Sequence, residues 1–193
     1  VKYRTIVADP PWPVVGDAAV MVPPWCGKGG RRTRDTFFPY ETQCYEWIDS
    51  LPVANLAEAD AHLYLWVPAW LNREGIGVRT VRAWGFECVS EIVWAKPNFG
   101  LGKFPRPQHE ILLVCRRGTL PFRLNDVGSV QRWRQTYENG KGKWHSAKPE
   151  AAMDLIEQAS PPPYVELFSR RHRLFWDVWG NESANTAMLE APA

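Results

Sequence analysis

Short apolar runs alternate with helical patterns along most of this chain, and that alternation restricts it to few architectures. The runs Tyr3–Ala8, Ala61–Val67, Phe86–Trp94, Glu110–Cys115, Tyr164–Phe168 and Leu174–Trp179 are rich in β-branched and aromatic residues, and most stop against Pro, Gly or charge. A further strand is read in Val127–Trp133. Helices are expected over Glu41–Leu51, stopped by Pro52, and over Trp70–Trp84, weakened at Gly75-Ile76-Gly77. A third opens at Lys148-Pro149-Glu150 with Ser146 as its N-cap and runs to Ala159. Strands separated by helices need crossover connections, so the expectation is an α/β domain with a mostly parallel sheet and helices on both faces. Residues 1–182 read as one domain and 183–193 as a flexible tail.

The 193 residues suffice for one sizeable core. With 45% hydrophobic and 23% charged residues the chain is no disordered segment. No apolar run approaches the ~18 residues that span a bilayer. Val1-Lys2-Tyr3-Arg4 enters the first strand without signal-peptide architecture, which sets a cytoplasmic location as the expectation. Cys26, Cys44, Cys88 and Cys115 make no Cys-x-x-Cys pair, so four independent reduced thiols and no metal are expected. The net charge of +2 matters less than its distribution. Lys28, Arg31, Arg32 and Arg34 crowd one loop; Arg132, Arg134, Lys141, Lys143 and Lys148 crowd another region; Arg170, Arg171 and Arg173 form a third group. Such clusters suit phosphate backbones, and a solvated surface accounts for each equally well.

The chemistry concentrates where the first strand stops, at Asp9-Pro10-Pro11-Trp12. In open α/β sheets ligands bind at the carboxyl ends of strands. Asp9 sits at one such end and Ser169-Arg170 at another, which suits a two-substrate enzyme. An aromatic amine is a poor nucleophile because its lone pair is delocalised into the ring. A carboxylate and a backbone carbonyl that each accept one of its N–H groups draw the nitrogen toward tetrahedral geometry and free the lone pair. Prolines stiffen the backbone that presents the carbonyl. Trp12, and Trp25 in the Gly/Pro/Arg-rich stretch Pro13–Tyr40, offer faces on which a base can stack. A plain turn after a strand would use the same tetrapeptide, so the motif does not decide the matter alone.

The segment YRTIVADPPW resembles the hallmark of the MT-A70 family of adenine-N6 methyltransferases. Leu65-Trp66, Trp84-Gly85-Phe86, Val93-Trp94-Ala95-Lys96 and His109-Glu110-Ile111-Leu112-Leu113 with Arg117-Gly118 resemble its next segments in order. His145-Ser146-x-Lys148-Pro149, Glu166-Leu167-Phe168-Ser169-Arg170 and Trp176-Asp177-Val178-Trp179-Gly180-Asn181-Glu182 resemble its closing ones, so the likeness covers residues 3 to 182. The resemblance implies a Rossmann-like S-adenosylmethionine-dependent methyltransferase with the catalytic motif ahead of the cofactor strand. It implies that Asp9 and Pro10, within the Asp9-Pro10-Pro11-Trp12 centre, hold the target amine. It implies donor contacts from Asp9, Lys148, Phe168, Arg170, His172, Asn181 and Glu182. Glu110, at the start of an apolar strand, is either a buried paired carboxylate near the site or simply a strand residue.

One departure stands out: Phe175 occupies a position where the family often has Gly. The resemblance rests on no residue of the stretch Pro13–Tyr40. Its Lys28, Arg31, Arg32 and Arg34, with Trp25, are the expected nucleic-acid contacts. The expected function is methyl transfer from S-adenosylmethionine to adenine N6 in nucleic acid, DNA ahead of RNA, with a homodimer left open. The alternative from another class is a silent nucleic-acid-binding subunit, against which the intact Asp9-Pro10-Pro11-Trp12 and Lys148 argue.

Overall fold

The computed structural model describes residues 1–13, 42–100, 104–134, 147–181 and 184–189. In chain order its elements are β1 (Tyr3–Ala8), α1 (Tyr45–Ser50), α2 (Val53–Leu56), β2 (Ala57–Pro68), α3 (Ala69–Arg73), α4 (Ile76–Ala83), β3 (Glu87–Ala95), β4 (His109–Arg117), β5 (Val130–Gln131), α5 (Glu150–Ala159), β6 (Tyr164–Leu167) and β7 (Trp176–Trp179). The strands form one sheet in the order β5-β3-β4-β2-β1-β6-β7. Neighbours are parallel except at β2–β4 and β3–β4, so the one reversed strand is β4.

The apolar runs are nearly continuous because the sheet is buried on both faces. Ile6 and Ala8, Leu63, Leu65 and Val67, and Ile111 and Leu113 point to one face, where Ile48, Leu51, Val53, Leu71, Val81 and Trp84 of the α1–α4 side meet them. Val7, Tyr64, Trp66, Leu112 and Val114 point to the other and meet Ala152, Met153 and Ile156 of α5. The strand period of two thus sorts each run between two cores. The sheet is doubly wound, as expected, and the chain leaves β1 toward β2 over one face and reaches β6 by way of α5 on the other.

Several boundaries differ from the expectation. The predicted helix over Trp70–Trp84 is two helices, broken where Gly75 takes φ 73°, a left-handed conformation that favours glycine. Gly77 then lets α4 lie against the sheet, since a Cβ there would meet Val67 Cγ2 at 2.8 Å. β2 is longer than read, and β5 shrinks to two residues at the edge. Pro149 is the N-cap residue of α5 rather than its first helical residue, and Ser146 lies outside the described residues. Cys44 is disulfide-bonded, so the expectation of four independent thiols fails there; Cys88 and Cys115 are free.

At the amino end of the central strands, buried His62 hydrogen-bonds through Nε2 to Leu120 O (2.9 Å) and through Nδ1 to Ser160 Oγ (2.7 Å). Nε2 must donate to the carbonyl, so Nδ1 accepts from the hydroxyl. Burial lowers the His62 pKa and keeps the ring neutral.

Phe175 takes φ 67° just before β7 while its side chain is 83% exposed. A left-handed residue with a Cβ costs roughly 1–2 kcal/mol, and little burial offsets it here. This is the position at which the sequence departs from the family's glycine. Phe175→Gly is expected to raise Tm by about 1–3 °C, after the larger unfolded-state entropy of glycine is counted. A lower Tm in a thermal melt would mean that the phenyl ring makes a compensating contact.

Candidate active site

β1 cannot extend past Ala8, because Pro10 and Pro11 have no N–H to give a ladder. The turn that follows is tied at every step. Asp9 N approaches Leu167 O on β6 at 3.5 Å, Trp12 N donates to Pro10 O at 2.7 Å, and Gln43 N donates to Pro11 O at 2.9 Å. Trp12 is 6% exposed, and its indole N–H donates to Trp66 O at 2.8 Å. Trp12 is therefore the anchor of the turn, and the expectation that it offers an open stacking face is corrected by its burial.

Four charges line up across the carboxyl end of the sheet. Lys148 Nζ lies 2.6 Å from Asp9 Oδ2 and 3.4 Å from Glu110 Oε2, and Glu110 is also ion-paired with Lys96. The two ammonium groups sit over indole rings, Lys148 at 5.5 Å from the Trp66 centroid and Lys96 at 4.6 Å from that of Trp94. Burial raises the Asp9 pKa; Lys148 opposes the rise, and the like charge of Glu110 adds to it. Burial alone would raise Glu110 too, but Lys148 and Lys96 outweigh it and hold Glu110 below the usual carboxylate range. The outcome is one firmly ionised carboxylate and one poised closer to neutrality, both beside the same ammonium.

Lys148 owes its position to the segment after β6. Arg171 donates to Lys148 O at 3.5 Å and is ion-paired with Glu150 in the first turn of α5. Arg173 reaches Glu150 at 2.7 Å, Asp154 at 2.5 Å and Glu157 at 2.8 Å. These two arginines, for which a phosphate backbone and a solvated surface were equal expectations, clamp α5 to the segment after β6.

The ends of β6 and β7 come unusually close. A Cβ on Gly180 would lie 2.4 Å from Ser169 O and 2.7 Å from Ser169 N, so no other residue fits without displacing the backbone. Gly180 N donates to Asn185 Oδ1 at 2.7 Å, and Ser169 N to Trp179 O at 3.1 Å. Phe168, at φ 63°, turns the chain out of β6 and packs on Trp47 and Trp179. Arg170 is half-buried on the same turn, and His172 and Asn181 are exposed. Glu182, Trp25, Lys28, Arg31, Arg32 and Arg34 lie outside the described residues.

Of the residues singled out, Asp9, Lys148, Phe168 and Arg170 are thus gathered at or beside the carboxyl ends of β1 and β6. Lys96 was visible in the sequence only as part of a motif. Its signal was its place, just past the end of β3 and across the β3–β4 pair from Glu110, where antiparallel pairing brings Trp94 opposite Glu110.

A doubly wound sheet that carries an acidic, proline-stiffened turn at its central strand end, facing a second ligand-shaped strand end, has the frame of an S-adenosylmethionine-dependent methyltransferase. The MT-A70 family model matches residues 3–182, and the chain belongs to that family. It is 30% identical over 190 residues to the type II methyltransferase M.MunI of Mycoplasma sp, covering 94% of this chain and 78% of that one. It is 24% identical over 205 residues to the human N(6)-adenosine-methyltransferase catalytic subunit METTL3, covering 98% of this chain and 30% of that protein. An MT-A70-like N(6)-adenosine-methyltransferase of Drosophila melanogaster is 27% identical, with 94% and 27% covered. The chain therefore spans under a third of these two eukaryotic relatives, and most of M.MunI. Among the described residues no helix is long and apolar enough to cross a membrane.

A role for Asp9 as proton acceptor requires its ionised form and predicts that activity falls as pH drops through its raised pKa. The acid limb of the pH–rate profile is expected above the ordinary aspartate value of about 3.9. Lys148→Met removes the opposing cation and should move that limb to higher pH; Glu110→Gln removes the like charge and should move it lower. Shifts of the same sign in both variants would show that another group sets the limb.

Proposed function

We propose that this chain methylates the exocyclic N6 amine of adenine in DNA. The observation that carries the reading is the tied turn at Asp9-Pro10, with its carboxylate 2.6 Å from the Lys148 ammonium. Pro10 O already accepts the Trp12 N–H, which fixes the direction of the carbonyl and leaves its second lone pair for one N–H of the amine. The Asp9 carboxylate accepts the other. Both acceptors are held in advance of substrate, so little ordering entropy remains to be lost in the reaction. The nitrogen that gains a methyl must shed a proton, and Asp9, already bonded to its other N–H in this reading, would accept it. Its raised pKa suits it to the task.

S-adenosylmethionine supplies an electrophilic methyl group when bound, and the residues here fit it in chemical kind. Lys148 and Asp9 present opposite charges for its zwitterionic amino-acid end, and Phe168 presents an apolar face for its adenine. Arg170, His172, Asn181 and Glu182 would supply polar partners for its ribose hydroxyls.

DNA is favoured over RNA by the span of the likeness: the chain covers 78% of a type II methyltransferase, against 30% of an N(6)-adenosine-methyltransferase subunit. A cytoplasmic enzyme goes with that reading. Transfer of labelled methyl from S-adenosylmethionine to unmethylated duplex DNA, single-stranded DNA and RNA, followed by nucleoside digestion, tests it directly. N6-methyldeoxyadenosine is the expected product, and N6-methyladenosine in the RNA pool alone would reverse the choice of substrate. Asp9→Ala should lower the rate by about 10²–10⁴-fold with an unchanged circular dichroism spectrum. Activity within a few fold of wild type would remove Asp9 from the chemistry. Replacing Arg31, Arg32 and Arg34 together with Ala should weaken DNA binding and reduce the slope of its salt dependence, and an unchanged slope would place those residues off the DNA path.

A further inference from the structure

The β3–β4 connection is tied across its described residues, 96–100 and 104–108. At its base Lys96 N donates to Gln108 O at 2.8 Å and Gln108 Nε2 donates to Pro97 O at 3.2 Å. Further out, Gly100 N donates to Pro107 O at 2.7 Å and Arg106 Nε donates to Gly100 O at 3.0 Å. The Arg106 guanidinium also lies over the Phe99 ring, 5.6 Å from its centroid. These ties hold up two aromatic side chains that bury little: Phe99 is 63% exposed and Phe104 97%. A phenyl ring fully in water, carried on a braced support, contributes nothing to this core.

Three observations say what would cover it. The connection is rooted in the charge chain described above, leaving the sheet at Lys96 and re-entering it just before Glu110, so it stands at the same end of the sheet as Asp9. From Lys96 to His109 the sequence contains Lys and Arg but no Asp or Glu. Arg132 and Arg134, both exposed, follow β5, which pairs with β3 at that end. An aromatic face set among cations beside a base-modifying site is complementary to a nucleobase flanked by phosphates, and poorly complementary to an acid-poor apolar protein surface.

We propose that Phe104 stacks on a base flanking the target adenine, with Arg106 contacting the adjoining phosphate. The proposal rests on the nucleic-acid reading above. A base lifted out of its stack leaves a neighbour with an uncovered face, and a pre-held phenyl ring can cover it at small entropic cost.

The test uses the full chain and short mixed-sequence DNA, duplex and single-stranded, carrying 2-aminopurine beside adenines. Wild type should alter the 2-aminopurine fluorescence on binding. Phe104→Ala should raise the Kd about tenfold with the salt slope unchanged, abolish the fluorescence change, and leave S-adenosylmethionine binding as in wild type. Phe104→Trp should restore binding and signal. Arg106→Ala should instead lower the salt slope by about one. An unchanged Kd and fluorescence response in Phe104→Ala would overturn the proposal. So would a change of oligomeric state in that variant on size-exclusion chromatography, which would assign the connection to contact between copies. If wild type itself transfers no methyl to any nucleic acid, the parent reading fails first, and that result is distinct from either outcome.

Discussion

An ammonium shared between two carboxylates organises this protein. Lys148 joins Asp9, at the end of the first strand, to Glu110, at the start of the fourth, and Lys96 closes the row. Taking such charges out of water costs several kcal/mol per ion, and only good geometry offsets it. The geometry here is alternating in sign, so each charge has an opposite neighbour. The row spans β1, β2, β4 and β3 at their common end and links the chain's beginning to a segment 139 residues later. Any displacement of α5 from the sheet would leave a half-buried carboxylate without its partner.

The remaining structure near the site serves to hold that row. Arg171 and Arg173 use four acceptor residues of α5 and its lead-in to fix where Lys148 begins. Trp12 pins the proline turn to the backbone of β2, and Trp66 and Trp94 roof the two lysines with their rings. Gly180 permits β7 to close on the turn after β6, where Phe168 leaves the strand in a left-handed conformation. The left-handed geometry of Phe168 is thus kept at the ligand-facing end of β6, where contacts with Trp47 and Trp179 over-determine it.

Much of this was legible in the chain. β1 was delimited to the residue, because an apolar run against two prolines leaves no other boundary. The break near Gly75 was visible because glycine is the weak point of a helical pattern. Asp9, Lys148 and Phe168 were singled out from their motifs. What misled was local chemistry that a distant segment overrode. Arg171 and Arg173 suited a phosphate backbone and a solvated surface equally until α5 supplied their acids. Trp12 read as an exposed stacking surface until the carbonyl of Trp66 claimed its N–H.

The sequence by itself determined where most strands lie and which short motifs carry reactive groups, because periodicity and proline placement are local properties. Tertiary structure alone decided which charges face one another. Asp9, Lys96, Glu110 and Lys148 are scattered over most of the chain, and nothing local tells a lysine that it will sit between two carboxylates and above an indole. Strand order brought them together: β1 lies between β2 and β6, β4 runs backward beside β2, and α5 delivers Lys148 onto the end they share. Burial there raises both carboxylates, and the second lysine beside Glu110, Lys96, divides them into one held charged and one raised toward neutrality.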